Sequence, residues 1–284
     1  MPLRLHQFSG PRLLTALAGF LPLIFTCSIW AHGGYHERIA ELTAESKANP
    51  SDPALYFKLG NLHGLHGDAE LALKNLKRAD DLAPGKFPTN LVRGEALLIA
   101  EEFARAKEAL DRHIAAHPEA ARGWLLRARA KRHLAQHETS LVDYREALKR
   151  TAPPDPDIVQ EVATALAAAG EKSEAAEVLS AGIQKLGNIP SLVLRALELE
   201  IETKNFDAAL RRIDQAREDA PRPEPWMARR AAVLAQAGRI DESRAAWKAL
   251  LEHLDGLPYR ERASRAMTKL KTEAREALSA LKSS

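Results

Sequence analysis

The sequence predicts an all-α fold, a solenoid of about six stacked helix hairpins, on three observations. The 284 residues are 45% hydrophobic and 28% charged, rich in Ala, Leu, Arg and Glu, and only 5% aromatic, a composition that suits helices better than sheets. Small and large residues recur at an interval of 34. Proline and glycine punctuate those intervals where helices would have to stop or turn. Lys plus Arg number 41 against 38 for Asp plus Glu, and Arg4 and Arg12 lie in an amino-terminal leader, so the balance is too even for a nucleic-acid binder.

The leader comes first in the chain. Arg4 and Arg12 precede the apolar stretch from Leu13 to Trp30, and polarity rises at His32-Gly33-Gly34, which is the order of a secretory signal. Cleavage is expected after Ala31, with Ile29 and Ala31 in the two pocket positions; cleavage after Ser28 is the alternative. The stretch is close to the ~20 residues that span a bilayer, so an uncleaved anchor is a further alternative. Either way the remainder is expected to be exported, periplasmic or secreted. Cys27 is the only cysteine, which excludes an intramolecular disulfide. Thr26 before it fits a lipoprotein signal poorly.

The repeats follow. Gly60, Gly94 and Ala128 are 34 apart, as are Ala72, Ala106 and Ser140, and Leu76, Leu110 and Tyr144. One extra residue is absorbed at Pro153-Pro154-Asp155-Pro156. The interval then resumes with Ala163, Leu197 and Ala231, with Ala175, Ala209 and Ser243, and with Leu179, Ile213 and Trp247. Units start near Pro53, Phe87, Ala121, Pro156, Pro190 and Glu224. In the first, Tyr56, Leu59, Gly60 and His63 fall at helical spacing, Gly67-Asp68 makes a turn, and Ala72, Leu76 and Ala79 line a second helix that Pro84 stops. Small residues at Gly60 and Ala72 let two antiparallel backbones approach, while Leu59 and Leu76 fill the space beside them. Such a hairpin cannot bury its outer faces alone and must stack on a neighbour.

This arrangement resembles the tetratricopeptide repeat family, in unit one and again in unit three, where Trp124, Ala128, Ser140, Tyr144 and Ala147 hold the signature places. The resemblance covers residues 53–257 and implies a right-handed superhelix with a concave groove. His113 in a small-residue place, Lys204 in place of a turn glycine and Asp255 in place of the terminal proline depart from the pattern. The expected organisation is a leader at 1–31, a linker and capping helix at 32–52, six repeats at 53–257 and a carboxy-terminal capping helix at 258–284. Ile39 and Leu42 should face inward at the front. Ala263, Met267, Leu270, Ala274, Leu278 and Leu281 should do so at the back.

No Gly-rich phosphate loop, Gly-x-Ser-x-Gly elbow or Cys-x-x-Cys occurs, so the chain is expected not to be an enzyme and to carry no cofactor. Histidine argues back: nine of the ten fall in the first half, eight of them in the pairs His32/His36, His63/His66, His113/His117 and His133/His137. The helical topology keeps those pairs apart, and local hydrogen bonding near helix ends is the preferred reading. Were His32 the first residue after cleavage, its amine and imidazole would form a copper chelate with His36 as a third nitrogen, which makes copper handling one alternative function.

The resemblance implies that the first helix of each unit lines the groove. The register places Phe57 and Asn61 there from unit one, Leu91, Glu95, Leu98 and Ile99 from unit two, and Arg122, Leu125, Arg129, Arg132 and His133 from unit three. Phe57, Leu91, Leu98 and Leu125 equally suit the core, because one residue of register rotates a side chain by about 100°. A basic centre beside an apolar shelf suits another extracytoplasmic protein or peptide carrying acidic and hydrophobic side chains. The family's carboxylate clamp is not reproduced, since Phe57 and Leu126 occupy two of its basic places. The expected function is a non-enzymatic binding scaffold; a membrane-anchored envelope assembly factor is the other alternative. Replacing both Arg129 and Arg132 by Glu is expected to abolish capture and leave folding intact.

Overall fold

A computed structural model describes residues 26–218 and 220–281, with side chains from residue 34 onward. The leader up to Phe25 and the side chain of His32 lie outside that description. Among the described residues there is no strand, and no helix is long and apolar enough to cross a membrane. The amino-terminal helix α1 (Thr26–Ala48) starts ahead of the linker expected from residue 32 and runs through Ala31 without a break.

Six hairpins follow: α2 (Pro53–Leu65) with α3 (Ala69–Leu82), α4 (Thr89–Ile99) with α5 (Phe103–Ala116), and α6 (Ala121–His133) with α7 (His137–Arg150). Then come α8 (Pro156–Ala168) with α9 (Lys172–Leu186), α10 (Pro190–Glu202) with α11 (Phe206–Glu218), and α12 (Glu224–Gln236) with α13 (Ile240–Gly256). Local chemistry sets the starts. Asp52 accepts from the Ala54 amide and Asp155 from the Asp157 amide, each ahead of a proline in the first helical turn.

The repeat positions are the core. Ala72, Ala106, Ser140, Ala175, Ala209 and Ser243 are all buried, as are Leu76, Leu110, Tyr144, Leu179, Ile213 and Trp247. Serine is tolerated at the small-residue place because its hydroxyl finds the facing helix: Ser140 Oγ donates to the Ala128 carbonyl at 3.0 Å and Ser243 Oγ to that of Ala231 at 2.7 Å. A Cβ on Gly60 would sit 2.6 Å from Leu76 Cγ, which fixes glycine beside that leucine. His113 fits its small-residue place because Gly123 of the next unit has no side chain; a Cβ there would lie 2.6 Å from the ring.

Each hairpin turns through one left-handed residue. Gly67, Gly170 and Gly238 supply it in units one, four and six, whereas Glu101, Ala135 and Lys204 are held at φ 57 to 58° in the others. The departure at Lys204 therefore changes the residue and keeps the backbone.

The ends close as amphipathic helices. Leu42 and Ile39 pack with Leu55 and Leu59. At the back, α14 (Tyr259–Arg262) is followed by α15 (Arg265–Ala280), because Ser264 caps the Met267 amide and starts a new helix. Met267, Leu270, Ala274, Leu278 and Leu281 join the core of unit six. Ala263 does not: it ends α14 and is exposed, since the break turns it away.

Candidate functional site

The first helix of unit three carries the arginines of interest, and the carboxylates that the first helices of units two and four set beside them decide which are available. Arg122 of α6 pairs with Glu95 of α4. Arg129 reaches Glu161 of α8 through two nitrogens, Nε to Oε1 at 3.0 Å and Nη2 to Oε2 at 2.7 Å, and Tyr144 Oη donates to the same carboxylate at 2.8 Å. Burial alone would raise the Glu161 carboxyl; the hydrogen bonds from Arg129 and Tyr144 outweigh it and hold the group below its ordinary value. Burial, and then the Glu161 charge, push the Tyr144 phenol up. Arg129 is thus a fastening between units three and four. Arg132, exposed at the end of α6, meets no carboxylate at ion-pair distance among the described residues.

Three cavities share Arg132 as a lining residue. One of about 450 Å³ is walled by Leu98, Ile99 and Phe103, with Glu95, Leu126, Arg129, His133 and Glu161 around it. Here the His133 ring lies flat on Phe103, centroids 4.2 Å apart and planes at 4°. A second, about 470 Å³, is a crevice between the turn side of α7 and the end of α8, lined by Leu141, Ala165 and Ala168 below His137, Glu138, Thr164 and Glu171. The third, about 340 Å³, is polar and bounded by Asp157, Gln160, Glu161 and Thr164.

The groove residues read from the sequence therefore divide. Glu95, Arg129, Arg132 and His133 come together. Arg122 is exposed beside them. Phe57 stacks instead on Phe87, centroids 4.8 Å apart, and Asn61 and Leu91 are half-buried away from these cavities. Leu125 belongs to the core: only 7% exposed, it shares a cluster with Ala128, Tyr144 and Val159, because that side of α6 faces its own second helix and the next unit. Leu126, one residue on, reaches the cavity instead. Phe103, Glu161 and the crevice residues were not legible, since each enters from a different helix.

The histidine pairs do not all stay apart, because α1 packs on the first hairpin and brings His36 to His66. His36 sets its ring edge against His66, centroids 4.6 Å apart, and Nδ1 of His63 and of His66 lie 3.5 and 3.3 Å from Asp68 Oδ2. His113 and His117 are 5.0 Å apart at the other edge, where burial and then His117 hold His113 below its ordinary value. Among the described residues no group of three or more His, Cys, Asp or Glu side chains is set to hold a metal ion.

No protein-family model matches the sequence, and no curated protein matches it either. Solved structures do. PilW, a type IV pilus biogenesis factor, is 15% identical with a TM-score of 0.51, over 68% of this chain and 89% of its own. The fold is the tetratricopeptide-repeat solenoid. Tetratricopeptide proteins of lower structural score include YrrB, described as having an unusual peptide-binding site, at 19% identity and a TM-score of 0.49 over 63% of this chain and 92% of its own. MamA from Desulfovibrio magneticus RS-1 is 20% identical with a TM-score of 0.48, over 55% of this chain and 88% of its own. Leu126 is buried and Phe57 is stacked.

Proposed function

We propose that this chain is a non-enzymatic scaffold acting outside the cytoplasm, and that it captures a segment of another protein on the first-helix face of units two to four. One observation carries the reading. Of the three arginines that the register assigns to this face, Arg122 and Arg129 are occupied by carboxylates of the same chain, and Arg132 is left for a ligand. An exposed guanidinium bordered by apolar walls is suited to an anionic group on a partly apolar partner. Export rests on the leader's order of basic, apolar and small residues, and on nothing in the helices.

The test uses Arg132→Glu alone, because Arg129→Glu would set two carboxylates against each other at Glu161 and weaken the fold. The purified chain, Arg132→Glu and a control at exposed Arg222 (Arg222→Glu) are used to capture proteins from an extracytoplasmic fraction. A partner retained by the first and the control and lost by Arg132→Glu, with helicity and melting unchanged, supports the site. A partner held equally by all three removes it. The amino-terminal sequence of the purified protein checks the leader: a chain starting at His32 supports cleavage and one starting at Met1 overturns it.

A further inference from the structure

Given that reading of the face, we infer that its ligand is an extended peptide in which one acidic residue stands between two apolar residues, each two positions away. The argument starts from the layout of the cavities. The shelf of Leu98, Ile99 and Phe103 and the crevice of Leu141, Ala165 and Ala168 have one common wall, Arg132. Both fall in the range of ~300–1,000 Å³ that holds a ligand group. A ligand that covers both must therefore cross the guanidinium.

Charge limits what can cross. Glu95, Glu161 and Glu171 around the two cavities are held by Arg122, Arg129 and Arg145, which among the described residues leaves Arg132 as the lining arginine without a carboxylate at ion-pair distance and Glu138 as the carboxylate without a cation. One ligand carboxylate therefore finds a partner there; a polyphosphate or a run of acidic residues would bring further charges that find none and would face Glu138. Spacing sets the rest. In an extended chain the side chains at i, i+2 and i+4 point to one face, at about 3.3 Å rise per residue. Apolar at i, acidic at i+2 and apolar at i+4 puts one anchor on the shelf, the carboxylate on Arg132 and the second anchor in the crevice.

The probe is a labelled peptide with the core Leu-Ser-Asp-Ser-Leu in Gly-Ser arms, titrated into the purified chain by fluorescence anisotropy. Changing its aspartate to asparagine should weaken binding about tenfold on the unaltered chain and leave it unchanged on Arg132→Ala, the sign of a direct pair. Ala168→Phe should fill the crevice and weaken this peptide severalfold, with no effect on a peptide whose second leucine is serine. Equal binding of the aspartate and asparagine peptides, or no binding of either, overturns the inference. If Arg132→Glu still loses a native partner while these peptides fail, the ligand pattern is wrong and the site stands. If both fail, the site reading falls as well.

Discussion

The joint between units two and three and the joint between units three and four obey the same repeat and are fastened at different places. At the first, Arg127 of α6 reaches back to Asp111 of α5 at 2.7 Å and holds Asp143 of α7 with two nitrogens at 2.8 Å. Lys131 adds a second cation 2.8 Å from Asp143, which is 1% exposed. At the second joint the place equivalent to Arg127 is Val162, buried among apolar neighbours, and the ionic fastening moves to Arg129, Glu161 and Tyr144 beside the cavities. Joints one to two and five to six resemble the first, through Arg93 with Asp80 and Arg230 with Asp214, each at 3.0 Å. Arginine holds this place at three of the five joints; at the other two it is Val162 and Ala196, and the joint between units three and four, held instead by Arg129 with Glu161 and Arg145 with Glu174, leaves a crevice and an arginine without a carboxylate.

The largest test of this contrast removes one carboxylate from each joint. Asp143→Ala takes the carboxylate from the buried Lys131 and leaves Arg127 with Asp111 alone, and should cost about 3 kcal/mol, whereas Glu161→Gln, which keeps a neutral acceptor for Arg129 and Tyr144, should cost about 1 kcal/mol. Urea unfolding followed by circular dichroism reads both, and equal losses would erase the distinction.

Acid should separate the joints next. His113 has its folded pKa lowered, so the unfolded chain binds the proton first and stability should decline as pH falls below about 6.5. Glu161 also has a lowered folded pKa, and its contribution is present above about 4.5 and lost as pH falls through the folded value. His113→Phe, which keeps a ring against Gly123, should flatten the first decline and leave the second. Melting temperatures across that pH range check it.

The smallest effect compares the turns flanking the open joint. Ala135 at φ 57° carries left-handed strain that Gly170 at φ 90° avoids. Ala135→Gly should therefore gain and Gly170→Ala lose about 1 kcal/mol each, read as opposite shifts in the unfolding midpoint.

Much of the fold was legible because its contacts are local. Gly60 against Leu76, or Ser140 against Ala128, are hairpin neighbours within one unit, so the 34-residue interval records them directly. The clasps carry a readable signal too: Arg127 and Arg230 sit in one register, with Asp111 and Asp214 at one offset before them. The candidate site was half legible. Arg132, Arg129, Glu95 and His133 followed from register, while Leu125, which suited groove and core alike, belongs to the core, and its buried neighbour Leu126 lines the cavity. Phe103 carried no signal because it opens a second helix, and Glu161, although on the first helix of unit four, stands one residue outside the groove register.

The sequence by itself determined that small residues face large ones every 34 positions, and hence that hairpins form and must stack. Only the tertiary structure decided which arginine is spoken for. Arg129 finds its carboxylate 32 residues away on another unit's helix, and pairing across that distance depends on how two rigid hairpins are set against each other, which no one-dimensional interval encodes.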